Sequence, residues 1–223
     1  MKTIITLAAT AMFFAAANLA NATTVSLTTI DDGSVRTWAG PVVDTTSTGV
    51  AVTQSGGLIR NGIFEFDLSS IADNAVINSV VFQWINTRFV SNTGGNPAAV
   101  DLFTFLGDGV VTLADYSAAG TQVVDSSTPA GGSGGDVDSF AFSDLSDVTA
   151  ALLGDLLTIR FETDSFASIS VASLENTTHG AAQLIIDYTA APAPVPLPAS
   201  LPLAMIGLMA LAGLGCNRRK SAT

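Results

Sequence analysis

The stretch NGIFEFDLSSIADNAVINSVVFQWIN, residues 61–86, decides the fold because its apolar residues alternate with polar ones. A period of two places every second side chain on the same face of a β-strand. Two sets of large apolar residues share a face in this way: Phe64, Phe66 and Leu68, and then Val80, Phe82 and Trp84. Glu65 and Asp67 interrupt the first set, and Ile63 falls on the opposite face. The pattern predicts two strands, each with one face in a core.

Similar short segments recur along the chain, separated by Gly, Ser, Asn and Asp clusters. They are TTVSLTTI (23–30), GVAVTQ (49–54), AVDLFTF (99–105), DVDSFAF (136–142), LLTIRFET (156–163), ASISVAS (167–173) and AAQLIIDY (181–188). Many short strands at this spacing indicate an all-β, antiparallel β-sandwich. One short helix is expected in SDLSDVTAALLG, where Ser146 or Asp147 caps the first turn and Gly154 ends the last.

Residues 1–22 have the three parts of a secretory signal peptide. Lys2 is followed by an apolar core from Ile4 to Ala17, and Ala20 and Ala22 form a small-x-small cleavage site. The alternative, a transmembrane anchor, needs about 20 apolar residues, and this core is shorter. We therefore expect export, with signal peptidase cutting after Ala22.

The C-terminal part divides into a spacer and a membrane segment. Residues 191–200 are rich in proline and predict a stiff, extended spacer. Residues 201–223 predict a transmembrane helix, since Leu201 to Cys216 is almost wholly apolar and basic residues follow. Those basic residues favour a cytoplasmic C-terminus. The domain between the two ends, residues 23–190, would then lie outside the cytoplasmic membrane.

The order of motif, apolar helix and basic tail resembles the PEP-CTERM class of sorting signals, in its VPLPA variant. The residues that carry the resemblance are Val195, Pro196, Leu197, Pro198, Ala199, Arg218, Arg219 and Lys220. It implies a Gram-negative bacterium, an exosortase-type membrane protease as a partner, and transfer of the cut protein to the cell surface or extracellular matrix. The alternative from the residues alone is an uncleaved tail anchor in the membrane.

The domain itself resembles DNRLRE-type domains, which are related to carbohydrate-binding modules. The matching segments are GIFEFDLSSIADNAVINSVVF, DVDSFAFSDLSDVTAALLG and ASLENTTHGAAQLIIDY. The resemblance implies a jelly-roll-type β-sandwich, and it makes polysaccharide a candidate partner.

The charge of the exported region excludes one class of partner. All 19 acidic residues lie between Asp31 and Asp187, against four arginines and no lysine, which gives a net charge of −15. Such a surface repels phosphate backbones, so we expect no nucleic-acid binding. The region also lacks cysteine, so its core must hold it together without disulfides.

Calcium is the candidate cofactor, because loop carboxylates are its preferred ligands. Asp31, Asp32, Asp136 and Asp138 are closely spaced oxygen donors in predicted loops. The calcium ion would have a structural role, as it often does at the edge of jelly rolls in the families named above. The alternative is that these aspartates cap turns and keep the surface soluble.

Trp38 and Tyr116 form the candidate glycan platform, since sugar rings stack on exposed aromatic faces and both residues adjoin Gly- or Asp-rich turns. Trp84 alternates with core residues and is expected to be buried. In GDGVVTLADY, residues 107–116, we expect a bend at Asp108 and Gly109 rather than a calcium loop.

These patterns favour a non-enzymatic surface or matrix protein in adhesion, biofilm or envelope structure. A carbohydrate-binding module is one alternative. A glycan-active enzyme is the other, and it would need two carboxylates facing each other across a cleft at about 5–10 Å.

Overall fold

The structure is a computed structural model that describes residues 22–37, 40–87, 91–92, 98–163 and 166–191. Most of the predicted signal peptide, the sorting motif, the basic tail, the predicted transmembrane helix 201–223 and Trp38 lie outside these residues. Within the described ranges, no helix is both long enough and apolar enough to span a membrane.

The described residues form strands almost throughout. The strands are β1 (Ala22–Thr28), β2 (Asp31–Arg36), β3 (Val42–Asp44), β4 (Gly49–Ser55), β5 (Leu58–Asp67), β6 (Val76–Ile85), β7 (Ser91–Asn92), β8 (Val100–Leu106), β9 (Thr121–Ser127), β10 (Val137–Ala141), β11 (Leu156–Thr163), β12 (Ala167–Ala172) and β13 (Gln183–Thr189). A 3-10 helix spans Ala114–Tyr116, and helix α1 spans Ser146–Ala151. The expectation of an all-β chain with one short α-helix is confirmed for this part.

Two antiparallel sheets pack against each other as a sandwich. The smaller sheet has the order β1-β13-β6-β10. The larger has the order β7-β12-β4-β5-β11-β8-β9, with β2 added to β5 and β3 added to β2. In the smaller sheet, Ala22 pairs with Thr189 and Thr28 with Gln183, so the first strand lies along the last one.

The predicted alternation builds the core between the sheets. Phe64 and Phe66 of β5 meet Phe82 of β6, with ring centroids 5.2 and 6.3 Å away. Trp84 stacks on Phe82 at 5.5 Å and is buried, as its place in the pattern predicts. Phe161 of β11 packs edge-on against Trp84. Aromatic pairs at these separations each add a favourable contact beyond the area they bury.

Two details differ from the sequence expectations. The segment 23–30 is not one strand: β1 ends at Thr28, and the chain crosses to the larger sheet, where β2 begins at Asp31. Helix α1 is capped differently, because its N-cap is Leu145 and the Asp144 Oδ1 accepts the Ser146 N–H at 2.7 Å. The Asp147 carboxylate instead accepts bonds from Thr104 and Thr121, which tie the helix to β8 and β9.

The outer face of the larger sheet is partly covered by residues 107–116, which we call the cap. The apolar part of this contact is a small second cluster of Val35, Ile63 and Val111, with Val43 and Tyr116 packed against it. The polar part of the same contact contains the carboxylates described next.

Candidate functional site

Glu65 lies on the outer face of β5 and is completely buried, with 0% exposure. It points away from the core because it alternates with Phe64 and Phe66. The Thr158 hydroxyl on β11 donates to Glu65 Oε1 at 2.6 Å, and the Gly109 N–H of the cap donates to Oε2 at 3.3 Å. Each carboxylate oxygen therefore has one donor and no cation.

The cap fits closely over this carboxylate. A Cβ added at Gly107 would lie 2.5 Å from Glu65 Oε2 and 3.2 Å from the Leu157 main chain. Gly109 has a φ of +82°, a left-handed conformation that favours glycine. The Asp108 carboxylate accepts the Val110 N–H at 3.1 Å, which fixes the bend that the sequence predicts here.

Asp31 is the second carboxylate that holds the cap. It lies directly opposite Glu65 in the β2–β5 register, so the two side chains share a face. Its Oδ2 accepts the Val111 N–H at 2.9 Å. Within the cap, Asp115 is buried, and its Oδ2 accepts from the backbone and hydroxyl of Thr112.

Burial raises the pKa of Glu65 to about 7, and the nearby carboxylates of Asp115 and Asp108 add to the increase. The hydrogen bonds from Thr158 and Gly109 act in the opposite direction and are too weak to cancel it.

Arg160 is the cation nearest to this group in the β5–β11 register, but its bonds go elsewhere. Its Nε donates to Glu162 Oε1 at 2.5 Å, and its Nη1 donates to the carbonyls of Ala118 and Asp115. The guanidinium also lies 4.8 Å from the centre of the Phe103 ring. Arg160 thus binds the end of the cap and the segment that follows it, and it leaves Glu65 without a counter-ion.

Asp32 is buried on the other face of β2, with 2% exposure. Its Oδ2 accepts the Leu174 N–H at 3.0 Å, while Oδ1 has no hydrogen-bond partner. Burial raises the pKa of Asp32 to about 7; the Leu174 bond lowers it, and Glu175 and Asp31 raise it further.

The other two predicted calcium ligands lie just before β10 of the smaller sheet, at Asp136, and on it, at Asp138. Asp138 is buried on β10 and accepts the Gly131 N–H at 2.7 Å and the Asn86 amide at 2.6 Å. Asn86 in turn accepts the Trp84 indole N–H at 3.1 Å. Asp136 accepts the Gly132 and Ser133 N–H groups.

The four predicted calcium ligands thus fall into two pairs, Asp31 and Asp32 on β2 and Asp136 and Asp138 at the start of β10. The second pair accepts backbone N–H groups of the preceding loop, residues 131–135. No group of three or more His, Cys, Asp or Glu side chains in the described ranges could hold a metal ion.

The predicted glycan platform is only partly described. Tyr116 ends the 3-10 helix and is half-buried against the cluster of Val35, Ile63 and Val111. Its carbonyl accepts a bond from Asn61 at 3.4 Å. Its partner in the prediction, Trp38, lies outside the described residues.

Glu65 and its donor Thr158 are the site residues that sequence reasoning missed. The signal was present, because a carboxylate interrupts an otherwise apolar strand at Glu65. Glu65 and Asp31 are carboxylates at directly opposite positions of β5 and β2. Glu65 is fully buried under the cap, whereas Asp31 is partly exposed.

A separate cavity of about 120 Å³ lies on the smaller sheet, lined by Gln83, Trp84, Ile85, Val137, Gly180, Ala181 and Gln183. It contains two neutral amides and none of the carboxylates described above.

Comparison of the chain with models of known protein families and with curated proteins gives no match.

Proposed function

We propose that this chain is a non-enzymatic exported protein, sorted to the cell surface or extracellular matrix of a Gram-negative bacterium, with a structural or adhesive role. The observation that carries the proposal is the order of the VPLPA motif (Val195–Ala199), the apolar run from Leu201, and the basic residues Arg218, Arg219 and Lys220. Signal peptidase would remove residues 1–22, and an exosortase-type protease would cut near the motif.

The pairing of the first and last described strands, β1 and β13, supports these domain limits. β1 starts at Ala22, where the signal would be cut, and Ala22 pairs with Thr189 at the end of β13. The folded unit therefore begins and ends side by side, and the proline-rich spacer follows at once. That spacer would carry the domain away from the membrane as a stiff connection.

We also propose that the strands of the sandwich have a jelly-roll arrangement. The two-sheet antiparallel sandwich is compatible with it, and the resemblance to DNRLRE-type domains supports it. The non-enzymatic role is supported by the carboxylates, since Glu65, Asp31, Asp136 and Asp138 accept hydrogen bonds that hold loops in place.

The test is the intact mass of the protein recovered from the surface of its native host, with its C-terminal peptide sequenced. We expect the mature protein to start at Thr23 and to lack everything beyond the VPLPA region. Recovery of a full-length C-terminus that retains Arg218 to Thr223 would instead mean a simple membrane-anchored protein.

Two proline variants sharpen this test. Pro198→Ala changes the motif, whereas Pro192→Ala changes the same spacer outside it. We expect the first to leave the tail uncut and the second to be processed normally. If both variants were processed equally, the VPLPA motif would not direct the cleavage.

A further inference from the structure

The two ends of the cap, residues 107–116, are bound to the larger sheet by main-chain groups: the Gly107 N–H donates to the Leu156 carbonyl, and the Asp115 and Tyr116 carbonyls accept bonds from Arg160 and Asn61. The turn between these ends is held by two carboxylates. The Gly109 N–H donates to Glu65, and the Val111 N–H donates to Asp31. Val111 adds apolar contact with Val35 and Ile63. The two carboxylates lie opposite each other on β5 and β2, so one short turn is fastened at two adjacent points.

The charged groups around Glu65 are acidic on every side except β11. They are Asp31 on β2, Asp67 two residues along its own strand, and Asp108 and Asp115 on the cap. From β11, Glu65 faces the neutral hydroxyl of Thr158. The next cation on that strand, Arg160, is bound to Glu162 and to carbonyl oxygens. A negative charge on Glu65 would therefore be buried, unpaired and surrounded by like charges.

We propose that Glu65 is a proton-dependent latch, whose neutral carboxyl group keeps the cap closed and whose ionisation opens it. Opening would bring water to the carboxylate, and it would uncover Val35 and Ile63 on the outer face of the sheet. This inference goes beyond the proposed function and does not depend on it.

The direction of the effect follows from linkage. In the closed form, burial raises the pKa of Glu65 to about 7, whereas an opened, hydrated glutamate titrates near its ordinary value of about 4.3. The open form therefore binds its proton less tightly and gains population as pH rises. The equilibrium for opening should increase by up to about tenfold per pH unit between these two values, and it should level off above pH 7.

The experiment is amide hydrogen exchange followed by NMR on residues 23–191 at pH 5, 6, 7 and 8. The reporters are the Gly109 and Val111 amides, whose acceptors are the two carboxylates. After correction for the intrinsic pH dependence of exchange, we expect their protection factors to fall by at least tenfold from pH 5 to pH 7. Amides in β6 serve as the internal reference, and their protection should fall by less.

Glu65→Gln keeps the size and cannot ionise. Its one oxygen can still accept the Gly109 N–H while its NH2 donates to the Thr158 hydroxyl, so the cap amides should show no such pH dependence. The matched control is Asp67→Asn on the same face of β5, which keeps the titrating carboxyl of Glu65 and should therefore keep the fall in protection as pH rises. If Glu65→Gln does not fold, the unmodified chain still decides the question. Protection factors of Gly109 and Val111 that stay constant from pH 5 to pH 8, or an equal fall in Glu65→Gln, would overturn the proposal.

Discussion

The Asp138 carboxylate accepts a 2.6 Å hydrogen bond from the Asn86 amide, and both residues are buried. Asp138 also accepts the Gly131 N–H at 2.7 Å. Asp138→Ala leaves both donors without partners in a buried place. We expect a loss of about 2–3 kcal/mol in the free energy of unfolding, measured with urea at pH 6.

The control for this prediction is Asp136→Ala in the same loop. Asp136 is less buried, and it accepts only backbone N–H groups of Gly132 and Ser133. We expect it to cost about 1 kcal/mol. An Asp138→Ala variant no less stable than Asp136→Ala would mean that the Asn86 bond contributes little.

Gly107→Ala should destabilise the cap. The added Cβ would lie 2.5 Å from Glu65 Oε2 and 3.2 Å from the Leu157 main chain. The Glu65 side chain is buried and hydrogen-bonded through both oxygens, so it cannot move aside without losing those bonds. We expect a cost of about 1–3 kcal/mol, the range for overpacking a close contact, read from the thermal midpoint and urea unfolding. Gly154→Ala is the matched control, because nothing lies within 4 Å of its added Cβ. If both substitutions had the same effect, close packing at Gly107 would not be the cause.

The free energy of unfolding should depend on pH through Asp32. Burial raises its pKa to about 7 in the folded chain, against an ordinary value near 3.9 when unfolded. The folded state then binds more protons between these values, so stability falls as pH rises from about 4 to 7 and is roughly flat above. Each unit of pKa difference corresponds to about 1.4 kcal/mol. Glu65 contributes with the same sign.

Asp32→Asn should remove the Asp32 part of this slope and stabilise the protein at pH 8, since the amide is neutral and its oxygen can still accept the Leu174 N–H. Asp67→Asn provides the contrast. The pKa of Asp67 is lowered by its bonds to Ser69, so its substitution should slightly lower stability above pH 4. Urea unfolding from pH 4 to pH 8 measures both. If Asp32→Asn left the pH dependence of the free energy of unfolding unchanged, Asp32 would not be a source of that dependence.

Removal of calcium should leave the thermal midpoint unchanged. Asp136 and Asp138 already accept backbone and amide hydrogen bonds, and they lie at the start of β10, whereas Asp31 and Asp32 lie on β2 of the other sheet. The measurement is calorimetry with EDTA and with millimolar calcium, since a ligand that binds only the folded state raises the midpoint. A higher midpoint in calcium would instead show that the folded chain binds the ion. Asp31→Asn and Asp138→Asn would then identify which of the two aspartate pairs binds calcium.

The sandwich could be predicted because its core strands are regular. Phe64 and Phe66, then Phe82 and Trp84, keep the period of two that a half-buried strand needs, and they meet in the core as expected. β2 was missed because its sequence, DDGSVR, is polar while four of its six residues are buried. Its pairing with β5 depends on contacts with distant residues, which local patterns do not encode.

The candidate site could be predicted only in part. Asp31 and Asp32 were recognised as a pair of adjacent donors, but alternation along β2 sends them to opposite faces, so they serve different loops. Glu65 was visible as an interruption, yet its burial depends on Gly107, which lies far along the chain and is close to it only after folding.

The position of β1 also constrains how the domain is made. β1 is an edge strand whose neighbour in the sheet is β13, so the first strand to leave the ribosome pairs with the last. The smaller sheet cannot be completed until β13, near the end of the domain, has been synthesised. Contacts between residues so far apart in sequence slow folding. On the proposed route of export, β1 would therefore stay unpaired until the end of translocation supplies β13.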